Sequence, residues 1–186
     1  MKRLVLALLA STAVGTASLA HAQQVFCKIT GQKQGVIAGD NTIKGLEDFI
    51  PVLALSEGVS SPRDPASGLP TGKRVHKPFV ILKPLDKASP KLFMAAVTNE
   101  NLSSVDCSIY RRTGARQQYF QIKLQDAIIT SYDIKAREDS DNDRDIDTTR
   151  GAALGTFETV QFVFQKITLV DTVSGTTAQD DWEAIQ

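Results

Sequence analysis

Five aspartates at alternate positions, Asp139, Asp141, Asp143, Asp145 and Asp147, form the densest group of potential metal ligands in the chain. Calcium takes several oxygen ligands, and a D-x-D-x-D run opens an EF-hand loop. On that pattern Asp139, Asp141 and Asp143 would be the first ligands. Arg144, however, stands where such a loop needs glycine, and Arg150 where it needs a bidentate glutamate. The segment 137–149 also joins two predicted strands rather than two helices. A solvated acidic hairpin tip is the favoured reading, with calcium as the weaker alternative.

Catalytic chemistry finds little support. The chain has two histidines, His21 and His76. His21 falls in a leader described below, so one histidine is left. That removes two-histidine metal sites and weakens any Ser-His or Cys-His nucleophile. His76 precedes Lys77-Pro78 at a strand start and reads as a solvated surface residue. No G-x-S-x-G, P-loop, H-E-x-x-H or G-x-G-x-x-G stands out. No enzyme activity and no cofactor are expected.

The two cysteines take their meaning from the N-terminus. Lys2 and Arg3 form a positive start, Leu4 to Ala10 an apolar run, and Ala20-His21-Ala22 a small-residue cleavage site. Residues 1–22 therefore read as a signal peptide, and the domain as residues 23–186. The apolar run is too short to span a bilayer, so no stable membrane insertion is expected. A leader carries Cys27 and Cys107 through an oxidising compartment, where a pair can become a disulfide. Each sits at an alternating apolar position, Val25-x-Cys27-x-Ile29 and Val105-x-Cys107-x-Ile109. Both can face one core. A bridge and two buried free thiols remain alternatives, because sequence supplies no Cα separation.

The bulk numbers fit one globular domain. The chain has 186 residues, 42% of them hydrophobic, with 21 basic and 21 acidic side chains. Loss of the leader removes Lys2 and Arg3, leaving 19 against 21, a net of −2. That is an ordinary soluble surface, and it offers nucleic acid no basic excess.

The elements that would position these residues are mostly strands. Residues 25–30 alternate, 31–45 are turn-rich, and 48–56 are β-compatible. Residues 57–74 hold three prolines and three glycines and predict a long exposed loop. A strand is predicted over 76–83. Residues 83–97, KPLDKASPKLFMAAV, predict a turn and one short helix. Ser89 can cap it, Pro90 suits its first turn, and Leu92, Phe93, Ala96 and Val97 recur at helical spacing. Strands follow over 104–112, 117–136 and 155–170, the first two joined by a hairpin at Thr113–Arg116. In the last, Val160, Phe162 and Phe164 share a face while Ile167 and Leu169 have the opposite parity, which predicts a bulge near Gln165-Lys166. Trp182 and Ile185 are expected to dock back from a polar tail. The fold class is mainly β: a two-sheet antiparallel β-barrel or sandwich with one short α-helix packed against it.

With these segments in order, the chain resembles the Hcp family, the haemolysin-coregulated tube proteins of type VI secretion systems. Phe26-Cys27-Lys28-Ile29 resembles the family's opening strand, and Val52 to Gly58 the strand entering its extended loop. Asp86-Lys87-Ala88-Ser89-Pro90-Lys91-Leu92 resembles its D-K-x-S-P-x-L helix entry. Tyr119 to Thr130, Phe162 to Ile167 and Asp181-Trp182-Glu183 resemble its later strands and its closing tryptophan. The resemblance implies hexameric rings that stack head to tail into an expelled tube, with effectors in the lumen. The implied partners are other copies of the chain and the sheath, spike and effector proteins of the apparatus. It also implies that the 57–75 loop reaches a neighbouring ring. The leader, the cysteine pair, the proline-rich loop and the acidic 137–149 segment lie outside the family pattern. They support an alternative, a stand-alone exported module using the same fold. A small secreted hydrolase rests on the leader alone. Either route places the protein outside the cell, through the periplasm or through the type VI apparatus.

Overall fold

A computed structural model describes residues 23–113, 115–136 and 156–182. Eleven strands and one helix run in the order β1 (Gln23–Gly31), β2 (Gly35–Ile37), β3 (Ile50–Val52), β4 (Ala54–Ser56), β5 (Val59–Ser60), β6 (Val75–His76), β7 (Phe79–Pro84), α1 (Ser89–Val97), β8 (Leu102–Thr113), β9 (Ala115–Lys135), β10 (Phe157–Asp171) and β11 (Thr177–Asp181). All pairings are antiparallel, as expected where few helices are available for crossovers.

Residues 50–56 close the barrel. β3 pairs with β1 through Val25↔Val52 and Cys27↔Ile50. One residue on, Leu53 donates its N–H to the Leu82 carbonyl at 2.8 Å. β4 then pairs with β7 through Ala54↔Leu82 and Ser56↔Val80. A segment predicted as one strand thus bends at Leu53 and joins opposite edges of the path β1-β8-β9-β10-β7. Closure removes the exposed edges that an open sheet would present.

Alternation fills the interior. Cys27 and Ile29 on β1, Val105 and Cys107 on β8, Ile122 and Leu124 on β9, Val160 and Phe162 on β10, and Phe79 and Ile81 on β7 are all buried. The parity change predicted in β10 is real, since Phe164 and Ile167 are both buried, but no bulge sits at Gln165-Lys166. The register is unbroken from Phe162↔Ile129 to Ile167↔Leu124, and the shift lies between Gln161 and Phe162. β9 changes its buried parity at the same level, between Leu124 and Ala127, with Asp126 at φ 49° between them. Both strands therefore reverse together and keep their offset there; the extra residue, Thr130 on β9, lies at the Gln161/Phe162 shift.

Other elements differ from expectation in instructive ways. The predicted strand 76–83 divides, because Lys77 and Pro78 separate β6 from β7. The turn-rich stretch 31–45 holds the short β2, whose turn is clasped from outside. Glu100 is 2% exposed, and its carboxylate accepts the N–H groups of Lys33 at 2.7 Å and Gln34 at 2.9 Å. These bonds, with the Gln34 side-chain amide, hold the Glu100 carboxyl below its usual range against the opposing effect of burial. The polar tail folds back as β11, beyond a turn in which Asp171 accepts the N–H groups of Val173 and Ser174.

The helix forms where predicted, with proline in its first turn, but Ser89 is not its cap. Ala88 occupies that position without a side-chain bond. Ser89 is already helical and buried, and its hydroxyl turns inward, accepting the Asp86 N–H at 3.0 Å. The buried stripe is Ser89, Leu92 and Ala95, whereas Phe93 and Val97 stay exposed. Asn99, at φ 50° just past the helix, turns the chain back, a conformation asparagine tolerates better than most residues.

Candidate functional site

Among the described residues, the longest excursion from the barrel is the arm between Glu57 and His76. Its base is the two-stranded ladder Val59↔His76 and Ser60↔Val75, preceded by a 2.7 Å bond from the Lys77 N–H to the Gly58 carbonyl. Its tip is a second turn rather than a free coil. Thr71 donates to the Pro62 carbonyl, and Asp64 to that of Leu69. The Asp64 carboxylate accepts the N–H groups of Ala66 and Ser67 and the Ser67 hydroxyl, which hold its carboxyl below the usual range. Val59, Leu69 and Val75 are exposed along the arm, Leu69 at 65%. An ordered projection carrying exposed aliphatic side chains is suited to contact with another protein surface.

A polar anchor joins the base of the arm to the barrel. Arg74 makes a bidentate pair with Asp180 on β11 and donates to the Asp181 carbonyl at 3.0 Å. His76 Nε2 lies 2.7 Å from Asp180 Oδ2, and Nδ1 lies 3.2 Å from Glu57 Oε1. The imidazole packs edge-on against Phe164 of β10 at 5.4 Å and lies tilted against Trp182 at 5.9 Å. The Arg74 guanidinium, with a smaller contribution from His76, draws the Asp180 carboxyl down to about 2. The expectation of a solvated His76 is overturned: its side chain is 8% exposed. Sequence cannot bring Asp180 to it, because the two lie 104 residues apart. Trp182 docks on this ring while remaining 55% exposed, and Ile185 lies outside the described residues.

A second polar group lies inside the fold and seats the helix. Lys83 and Glu158 face each other in the β7–β10 register, both fully buried, with Nζ 2.6 Å from Oε1. Lys83 also donates to Asp86 Oδ1 and the Pro84 carbonyl, each at 2.8 Å, with the Ser89 hydroxyl at 3.4 Å. The Tyr132 hydroxyl donates to the other Glu158 oxygen. Burial, reinforced by that carboxylate, pushes the Tyr132 hydroxyl above its usual range. Asp86 accepts the Ala88 N–H at 2.9 Å. The D-K-x-S-P turn thus surrounds a buried ammonium, and its polar residues meet one another rather than a cleft. This network fixes α1 on the barrel.

Cys27 and Cys107 form a disulfide between directly paired residues of β1 and β8, with Cα atoms 4.0 Å apart. Asp139, Asp141 and Asp143 lie outside the described residues, as does the leader. Among the described residues, no group of three His, Cys, Asp or Glu side chains is arranged to hold a metal ion. Nor, among them, is any helix long and apolar enough to cross a membrane. A shallow, open cleft of about 460 Å³ lies between α1 and β9, lined by Phe93, Val97, Ile128 and Tyr132 among others.

Comparison with known proteins agrees with this architecture. The family model described as type VI secretion system effector, Hcp, matches residues 26–170. The "Major exported protein" of Pseudomonas aeruginosa is 39% identical over 174 residues, covering 88% of this chain and 97% of its own. A solved structure of an Hcp protein superposes with a TM-score of 0.75 at 30% identity, over 88% of this chain and all of the other. The secreted protein Hcp3 from Pseudomonas aeruginosa superposes with a TM-score of 0.68 at 31% identity, over 88% and 100% of the two chains.

Proposed function

This chain belongs to the Hcp family of type VI secretion proteins, and from that premise we propose that it is a structural tube subunit. In this reading six copies close a ring, rings stack into the inner tube, and effectors travel in the lumen. The observation that carries it is the ordered arm. A stacking ring needs a projection on one face that fits a complementary surface on the next copy. The Glu57–His76 arm has the features of such a projection, fixed at its base and carrying the exposed aliphatic side chains of Val59, Leu69 and Val75. The reading assigns the protein no catalysis and no cofactor; its partners are its own copies and the sheath, spike and effector proteins of the apparatus. Size-exclusion chromatography with light scattering tests it. Mass rising with concentration to a closed ring supports the proposal, and a strict monomer at high concentration overturns it.

One observation favours a second reading, an exported Hcp-like module working outside the tube. The Cys27–Cys107 disulfide suits a chain that folds in an oxidising compartment. The predicted leader over residues 1–22 would take it there. Recovery of the protein from the medium of cells lacking a contractile apparatus would favour this second reading, and retention inside those cells the first.

A further inference from the structure

His76 stands between two carboxylates, and this arrangement has a consequence for the arm. Carboxylates only accept hydrogen bonds, whereas a neutral imidazole has one donor nitrogen. The contacts at 2.7 Å to Asp180 and 3.2 Å to Glu57 can both be hydrogen bonds only when the ring carries its second proton. The other groups around the ring do not replace that proton. Arg74, two residues away, is already committed to Asp180 and the Asp181 carbonyl. β10 presents the Phe164 ring and the segment after β11 presents Trp182, neither of which accepts from an imidazole nitrogen as a carboxylate does. From the other side of the base comes Glu57 alone among the charged contacts to the ring.

We propose that His76 is a protonation-dependent latch that holds the arm on the barrel when doubly protonated and loosens it on losing one proton. With one proton gone, one nitrogen lone pair faces a carboxylate oxygen at contact distance in a nearly dry site, and like charges repel there. The base ladder that the latch guards is short, only Val59↔His76 and Ser60↔Val75. Besides this ladder and the Lys77–Gly58 bond, the tie between arm and barrel is the Arg74 pair with Asp180 and the Asp181 carbonyl, which shares its acceptor with His76. The barrel itself is held by long ladders and a disulfide elsewhere, so the effect is confined to the arm. The inference concerns a single chain and stands whether or not the chain forms rings.

Amide hydrogen exchange on the purified, oxidised protein, corrected for intrinsic chemistry, tests the latch. Along a pH series from mildly acidic to mildly alkaline, protection of the Lys77 and base-ladder amides should fall at least about tenfold, as loss of a charge-assisted bond implies. Protection along the β8–β9 ladder should not move. His76→Phe keeps a ring between Phe164 and Trp182 and should remove the pH dependence, leaving low protection throughout. Should that variant disturb the barrel, Glu57→Gln serves instead, since it leaves Asp180 in place and should flatten the profile. Flat protection in the wild-type protein, or an unchanged pH dependence in these variants, overturns the proposal.

Discussion

At the scale of single residues, the buried Lys83–Glu158 pair is where one substitution does most damage. Removing Lys83 leaves Glu158 and Asp86 without their shared cation in a dry interior, and breaking such a buried pair typically costs about 3–5 kcal/mol. Lys83→Met should therefore lower the denaturant midpoint severely. The double variant Lys83→Met/Glu158→Leu should be less destabilised than the two singles summed, because neither ion then remains. An additive cycle by chemical denaturation would show that the pair is not coupled. Glycine positions provide a second, independent test. A Cβ on Gly39 would lie 2.8 Å from the Ile50 Cα and 2.9 Å from the Phe49 carbonyl oxygen. Those are backbone atoms of the closing segment and cannot step aside. Gly39→Ala should cost about 1–3 kcal/mol by overpacking, read as a loss of melting temperature. Gly45→Ala meets nothing within 4 Å, and its only strain comes from φ 84°, so it serves as the milder comparison. Little of this was legible beforehand. Glu158 shares its parity with Val160 and Phe162, but Phe79 to Leu82 are apolar on both faces, so no alternation marked Lys83 as inward. Only the register could show that they meet. The His76 cluster gave no such sign, since Lys77-Pro78 beside it suggests an exposed strand start and its partners come from distant segments.

At the scale of elements, two restraints hold the arm and the β1–β8 ladder. Asp180 is the common acceptor for Arg74 and His76, and its carboxyl sits at about 2 rather than near the ordinary value of about 4. A carboxyl depressed by folding adds stability above its unfolded value and loses that contribution as pH falls through the folded one. The Asp180 contribution is thus complete above about pH 4 and lost towards pH 2. Trp182 is the chain's single tryptophan and rests on His76, so its emission reports this site directly. Its emission should move towards that of a hydrated indole in that acid window. In Asp180→Asn the same change should already be present at neutral pH; an unchanged spectrum in that variant would count against the anchor. The β1–β8 disulfide spans 80 residues of sequence. Chain-entropy reasoning puts closure of such a loop at about 4–5 kcal/mol. Reductant should lower the denaturant midpoint by a corresponding amount without changing native far-ultraviolet dichroism, since Cys27 and Cys107 already face each other in the ladder. Alternation located both strands and left the bridge open, because a period-two pattern reports which face a residue occupies and not which strand lies opposite.

At the scale of the whole molecule, the tube and stand-alone readings share one fold and differ in the route the chain takes. A tube subunit meets its partners where the apparatus assembles, and a leader-bearing chain is oxidised before it meets anything. Cleavage after Ala22 would keep all of Gln23–Gly31, with Gln23 opposite Arg111 of β8. Intact-mass measurement on protein from its native host, with and without reductant, separates the routes in one experiment. A mass beginning at Gln23 that gains two hydrogens on reduction is the expected outcome for export through the periplasm, and it favours the stand-alone module. A full-length chain with no mass change on reduction is the outcome expected of a subunit that assembled in a reducing cytoplasm. Light scattering on whichever species is recovered then completes the argument. In the tube reading the arm meets the next ring and the leader takes no part, so a processed, oxidised chain that still forms closed rings would show that the fold retains its assembly surfaces after export.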